Sequence, residues 1–443
     1  MKKLFFLSAS LFIILSFLLT GCDKFPFHEE KDKVTTKPMS GQLLADWITL
    51  HLKLIRSTTG VGTPGLSRHF AYSSVALYES IVGSNKQYKS LGGQLKGLTT
   101  LPASPESKDV CWPASANAAL ADMLRAFYVN TPGGTARIDS LETAYVQKLS
   151  TAGYSQASIT AGETYGKEVA QAILEYAKTD GFATVHPPYV PPVGDGLWEK
   201  TPPAFAAPAV PYLGSNRTFV EGSITQILPT APIPFSTDPS SGFYAMVKEV
   251  YDASAQLTAE QKTMANFWDD VPNGKYYTGP GHFAAILRQV ITDKKLSLLE
   301  SAVAYAKMGI SVNDAFIYCF QVKYKHNLIR PITYIHKYMN QPTWTSTINT
   351  PNHPEYPSAH SSLCMAAATA LSEALGSHIS FTDHTYDDLG FEPRYYKNFE
   401  AAAQEAGISR FYGGIHYKAS VNAGLLVGKK SAQLVTNRLQ FRK

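Results

Sequence analysis

The chain has 443 residues, 44% of them hydrophobic and 17% charged, with a formal net charge of +5. That composition supplies a sizeable core and excludes global disorder. The positive balance is mild and no dense Lys/Arg block occurs, which excludes the footprint of a nucleic-acid binder.

At the N-terminus, Lys2 and Lys3 precede an apolar run over 4–19, which ends in Leu19-Thr20-Gly21-Cys22. A basic start, a short apolar stretch and small residues before a cut describe a secretory signal. The run also falls short of the ~20 residues that a spanning helix needs. Its ending resembles a bacterial lipoprotein signal. That resemblance implies a signal peptide over 1–22, with Cys22 as the lipidated first residue of an exported protein. The protein would then be held on a membrane, facing the periplasm or the cell exterior. Residues 23–41, rich in Lys, Glu and Asp, read as a tether. The other cysteines are Cys111, Cys319 and Cys364. Their odd number argues against a disulfide framework, and Cys319 and Cys364, in apolar helix-like sequence, are expected to be buried free thiols.

Folded sequence begins with a helical N-terminal region over 42–180. Leu44, Ile48, Leu52 and Ile55 share one helix face, as do Tyr165, Val169, Ile173 and Tyr176 further on. Gly181 is placed to end that second helix, and helical stretches over 116–128 and 137–149 lie between. Residues 181–240 are dense in proline, including Pro187-Pro188 and Pro191-Pro192. Proline denies helices their hydrogen bonds, so a long irregular surface segment is expected there. Helical sequence resumes over 241–443, with loops around 273–281 and 341–357. No run of alternating strand residues stands out. The expected fold is all-α, built of packed helical bundles crossed by the proline-rich segment.

Three patches in 241–443 offer positive charge, hydrogen-bond donors and histidine to a compact anion. The first is Lys323 followed after six residues by Arg330-Pro331. Placed on one helix, the two cations lie two turns apart and face the same way, and Pro331 ends or kinks that helix. The second is Pro357-Ser358-Ala359-His360, leading into a helix-prone run. Ser358 offers a hydroxyl, and the Ala359 amide lies near a helix N-terminus, where anions are stabilised. His360 is suited to acid–base work. The third is Ser409-Arg410, then five residues, then His416, which adds a second guanidinium and a second imidazole.

In this order and spacing, the patches resemble the signature shared by vanadium haloperoxidases and type 2 phosphatidic acid phosphatases. The resemblance implies that Lys323, Arg330, Ser358, the Ala359 amide and Arg410 bind vanadate oxygens. It makes His416 the ligand to vanadium and His360 the acid–base group. Outside the patches, Phe267-Trp268-Asp269-Asp270, Thr278-Gly279-Pro280-Gly281-His282, Asp314-Ala315 and the segment from Trp198 to Arg217 are similar to bacterial haloperoxidases. By position, Asp270 is the carboxylate expected to tune His360. His353 falls where chloride-oxidising members carry Phe and bromide-oxidising members His, and Phe320 falls where chloride-oxidising members carry Trp. Both point away from chloride.

The implied reaction is oxidation of iodide or bromide by hydrogen peroxide, with vanadate as cofactor. The alternatives are an exported acid phosphatase, with phosphate at the same site and a phosphohistidine, and a catalytically silent surface-binding lipoprotein. Two residues depart from the family pattern. Ala359 replaces a usual Gly, and Ser420 stands where an Asp often orients the histidine equivalent to His416. On that basis His416 is expected to lack its orienting carboxylate.

Overall fold

The computed structural model of this chain describes residues 39–105, 110–228 and 230–443, so the signal, Cys22 and most of the tether lie outside the described residues. In chain order the helices are α1 (Gln42–Ser57), α2 (Thr63–Ile81), α3 (Trp112–Phe127), α4 (Gly134–Thr151), α5 (Gln156–Lys178), α6 (Ile224–Ile227) and α7 (Gly242–Ala255). They continue as α8 (Ala259–Phe267), α9 (Gly279–Lys294), α10 (Leu298–His326), α11 (Pro331–Tyr338), α12 (Ala359–Leu375), α13 (Phe399–Tyr412) and α14 (Lys418–Arg438).

The two clearest apolar periods become buried faces. Leu44, Ile48, Leu52 and Ile55 are buried on α1, and Tyr165, Val169, Ile173 and Tyr176 on α5. α5 stops at Lys178 with Thr179 as its C-cap, and Gly181, at φ +88°, redirects the chain two residues later. α10 is buried round nearly its whole circumference, as α2, α12 and α14 all pack against it. A capping box starts it: Ser297 Oγ accepts from the Glu300 amide, and Glu300 Oε2 accepts from the Ser297 amide at 2.8 Å. α12 and α14 approach closely at two glycines. A Cβ on Gly424 would lie 2.3 Å from the Ser358 carbonyl oxygen, and one on Gly428 2.2 Å from that of Ser362.

A hairpin and the start of α9 depart from the sequence reading. A short antiparallel hairpin, β1 (Phe381–Asp383) and β2 (Arg394–Tyr396), interrupts the helices, pairing Phe381 with Tyr396 and Asp383 with Arg394. Three-residue strands are too short to display an alternating pattern. α9 also begins at Gly279, within the stretch expected to be a loop. Thr278 caps it and Pro280 occupies its first turn, where a missing N–H leaves nothing unsatisfied.

Among the described residues, the proline-rich segment is irregular apart from a 3-10 turn at Leu213–Ser215 and the single turn of α6. It braces the loops beyond α10: the Trp198 amide donates to the Asn327 carbonyl at 2.6 Å, the Ile329 amide to that of Gly196 at 2.9 Å, and Asn352 Nδ2 to that of Ala207 at 2.6 Å. Cys111, Cys319 and Cys364 are free and buried. No helix among the described residues is long and apolar enough to cross a membrane.

Candidate active site

Lys323 occupies the last turn of α10, but Arg330 does not share its helix. Asn327 takes a left-handed conformation (φ 47°) as the C-cap of α10, its amide donating to the Lys323 carbonyl at 2.8 Å. Arg330 is then the N-cap of α11, with Pro331 in its first turn. The proline therefore opens a helix instead of closing one, and a turn places Arg330 near Lys323 where helical phase was expected to. Lys323 Nζ donates to the carbonyls of Pro354 (2.8 Å) and Glu355 (3.0 Å). Arg330 donates through Nε to the His353 carbonyl (2.9 Å) and through Nη1 to that of Ile415 (2.8 Å), with Nη1 3.2 Å from His416 Nε2.

Ser358 caps α12. Its Oγ accepts from Ser361 Oγ at 2.8 Å and from the Ser361 amide at 3.4 Å, so its own hydroxyl hydrogen is left to donate outward. Ala359 is the first residue of α12 and its amide lies among the open N–H groups of that helix end. Arg410, on the last turn of α13, is held by the carbonyls of Trp268 (2.5 Å), Ala265 (3.2 Å) and Asp269 (3.4 Å).

His416 has the orienting carboxylate that Ser420 was expected to deny it. Glu355 Oε1 receives His416 Nδ1–H at 2.7 Å and the Tyr417 amide at 3.1 Å, while Ser420 Oγ donates to Glu355 Oε2 at 2.5 Å. Ser420 thus steadies the acid that replaces it. Three donors surround this carboxylate, so Nδ1 carries the hydrogen and Nε2 presents its lone pair. Sequence reasoning gave Glu355 no role. The available signal was the only acid between Arg330 and Glu373, two residues before Pro357.

Asp270 does lie beside His360, with Oδ2 3.3 Å from Nε2. It sits at φ 52° after α8, and its Oδ1 accepts from Tyr386 OH (2.6 Å) and contacts His282 Nδ1 (3.0 Å). His353 flanks the cradle, its Nδ1 3.0 Å from Arg330 Nη2 and its ring 5.2 Å from that of Phe320. All the residues selected from the sequence that lie within the described chain therefore converge on one region.

The electrostatics are those of a cationic enclosure. Lys323 and Arg330 are fully buried, Arg410 is 3% exposed and His416 2%. Burial holds the Lys323 ammonium down to about 7 and the Arg330 guanidinium down to about 10. His416 is held well below its ordinary value by burial and then by Arg330 and Lys323. Burial pushes Glu355 up to about 7 against the pull of Arg330 and its hydrogen bonds. His360 is held down to about 3 by burial and by Arg410. Lys323, Arg330 and Arg410 therefore face His416, with Glu355 beside the first two and Asp269 and Asp270 beside the third, and a bound anion would favour the charged form of each. The donor set of an ammonium, two guanidiniums, a hydroxyl and a helix-end amide fits a tetrahedral oxyanion, with the lone pair of His416 Nε2 available to its central atom.

The VCPO second helical-bundle domain matches residues 303–442. A solved structure described as the first bacterial vanadium-dependent iodoperoxidase aligns with 32% sequence identity and a TM-score of 0.83, covering 92% of this chain and 98% of its own. The chain belongs to the vanadium-dependent haloperoxidases. These are enzymes of the peroxidase class. The holo and apo forms of a bacterial vanadium-dependent chloroperoxidase share the fold at 15% and 14% identity, with TM-scores of 0.63 and 0.62. Each covers 86% of this haloperoxidase, with 93% and 95% of its own chain aligned. No curated protein sequence matches the chain.

Proposed function

We propose that this haloperoxidase binds vanadate and oxidises iodide or bromide with hydrogen peroxide, releasing hypohalous acid and water. The observation that carries the reading is the enclosed set of Lys323, Arg330 and Arg410 around a histidine whose Glu355 partner leaves Nε2 unprotonated, its lone pair beside Arg330 Nη1, where a metal oxyanion would compete for it. Bound vanadate supplies a Lewis-acidic centre that renders peroxide electrophilic. The cations neutralise the oxygens held in the cradle and need no rearrangement to do so. Ser358 donates its hydroxyl to one oxygen. His360 moves the proton that the net reaction consumes, one for each halide and peroxide, and Asp270 keeps its ring aligned. Iodide is the first halide to test, because the 32%-identical relative is described as an iodoperoxidase. His353 and Phe320 border the same space and are the proposed halide-site residues.

Glu355 would orient His416 equally well for a phosphohistidine, so phosphate-ester hydrolysis is measured alongside. Purified protein in phosphate-free buffer, with and without orthovanadate, is assayed for peroxide-dependent oxidation of iodide, bromide and chloride. Vanadate-dependent oxidation that His416→Ala abolishes supports the reading. Phosphate-ester hydrolysis that vanadate inhibits would replace it with the phosphatase, and silence in both assays would leave a binding scaffold.

Anchoring belongs to the same proposal. Acylation at Cys22 of an exported chain would place the reaction at a membrane surface, in the periplasm or on the cell exterior. Metabolic labelling with a fatty acid that persists in Cys22→Ala would refute it.

A further inference from the structure

Behind His360 and Asp270 lie two further buried groups to which no role has yet been given. Asp270 Oδ1 contacts His282 Nδ1 at 3.0 Å, and His282 Nε2 contacts Asp383 Oδ2 at 2.8 Å. Asp383 is fixed in turn: its Oδ1 accepts from the Thr385 amide (2.9 Å) and from the Thr385 hydroxyl. His282 and Asp383 are fully buried and Asp270 nearly so. Both nitrogens of one imidazole thus meet carboxylate oxygens, which only accept, so both are satisfied as donors when the ring is an imidazolium. Its surroundings suit a cation. Trp268 stacks on the ring at 4.2 Å, and Tyr386 and Phe267 present their rings at 4.8 Å and 5.2 Å.

The two oxygens of Asp270 are treated differently. Oδ1 is saturated by His282 and Tyr386, whereas Oδ2 has no hydrogen-bond partner among the described residues and faces His360 Nε2, which also has none. We propose that His282, clamped between Asp270 and Asp383, is a positioning residue for the acid–base histidine. It engages one oxygen of Asp270 and so turns the other toward His360. Its positive charge offsets Asp270, which keeps that carboxylate ionised and stops it from taking the proton itself. The clamp is delivered by the hairpin region, since Asp383 ends β1 and Tyr386 follows it.

The charges around His282 support this. Burial pulls the ring down, but Asp270 and Asp383 outweigh burial and raise it to about 9. Burial pushes both carboxylates up, yet His282 brings each below its ordinary value. The titratable groups facing the clamp are Asp269, Asp270 and Tyr276 from the loop after α8, Asp383 from β1, Tyr386 beyond it, Tyr396 from β2, and His360 and Cys364 from α12. Arg410 of α13 acts on His360 from its other side.

The inference rests on the haloperoxidase reading for its catalytic consequence but not for its structure, and its test separates the two. In apoprotein labelled with 15N-histidine, His282, assigned by its loss in His282→Gln, is expected to show two protonated ring nitrogens throughout pH 6–8. In Asp383→Asn it is expected to show one, because an amide replaces one of its anions. With vanadate loaded, Asp383→Asn is expected to lower kcat for iodide oxidation by about tenfold. The KM for iodide should be unchanged and the acid limb of the pH profile displaced upward, as His360 loses the nearby cation. Asp383→Glu should restore part of the rate. Should His282→Gln fail to fold, His282 is assigned from Asp383→Asn by the resonance that changes. A singly protonated His282 in wild type at pH 7, or wild-type kcat and pH profile in Asp383→Asn, would overturn the proposal. If wild type oxidises no halide, the haloperoxidase reading fails, and the apoprotein spectra still decide the state of His282.

Discussion

At His416 one hydrogen bond decides what the imidazole can do. Glu355 accepts from Nδ1 at 2.7 Å and so aims the Nε2 lone pair into the cradle. Glu355→Gln keeps the size and one acceptor oxygen but loses the charge. Outer partners of metal-binding histidines contribute roughly 10–100-fold to affinity, so calorimetry should show vanadate binding weakened by about that factor with the fold intact. Lys323 yields a second prediction. Held down to about 7 by burial in the free protein, it gains an anion beside Nζ on binding, which favours the charged form. Binding above pH 7 should therefore take up a proton. Affinity should fall as pH rises from 7 to 9, by at most about tenfold per unit. Tungstate, whose charge is constant over that range, is the suitable probe. Titrations in buffers of different ionisation enthalpy should reveal the uptake, and Lys323→Met should lose it.

At the scale of elements, the cradle depends on how closely α14 runs past the start of α12. Gly424 faces the Ser358 carbonyl and Gly428 that of Ser362, each with no room for a methyl group. Gly424→Ala and Gly428→Ala should each cost about 1–3 kcal/mol of stability, the usual range for overpacking. Only the first should also weaken oxyanion binding, because it displaces the residue that caps α12 and donates to the anion. Denaturant melts with parallel vanadate titrations test that difference. The same scale shows what was legible in the sequence. The three patches, in their order and spacing, matched a family signature, and that resemblance named the cradle residues. Apolar period located α1 and α5, because neighbours along a chain stay neighbours in the fold. Glu355 on His416, and Asp383 behind His282, are contacts across 61 and 101 residues, and no local pattern encodes such pairings. The shared helix expected for Lys323 and Arg330 failed at Asn327. There a left-handed residue ended α10 four positions before the proline, since asparagine tolerates that conformation where most residues do not.

Across the whole molecule, buried acids outside the cradle set part of the stability. Glu79 on α2 accepts from Ser90 Oγ at 2.7 Å and from the Leu91 amide at 2.6 Å, and burial pushes it up from 4.5 to about 7. The folded protein then keeps a proton that the unfolded chain has already released. This contribution is complete below about 4.5 and is lost as pH rises through about 7. Glu79→Gln does not titrate. Its stability relative to wild type should improve by about 2 kcal/mol between pH 5 and pH 8, and thermal melts at the two pH values measure the change.

The three buried cysteines acquire a further meaning if the product is the proposed hypohalous acid, which attacks thiols. Thiolate is the form that hypohalous acids oxidise fastest. Burial raises the Cys111 thiol to about 11 and lifts those of Cys319 and Cys364 as well, with Cys364 well above its ordinary value. Cys319 and Cys364 stand within the electrostatic reach of Arg330 and Arg410 respectively, yet neither is open to solvent. The same close packing that builds the cradle keeps these thiols from solvent. If hypohalous acid is the product, the working lifetime should follow how rarely the helices around α10 and α12 come apart.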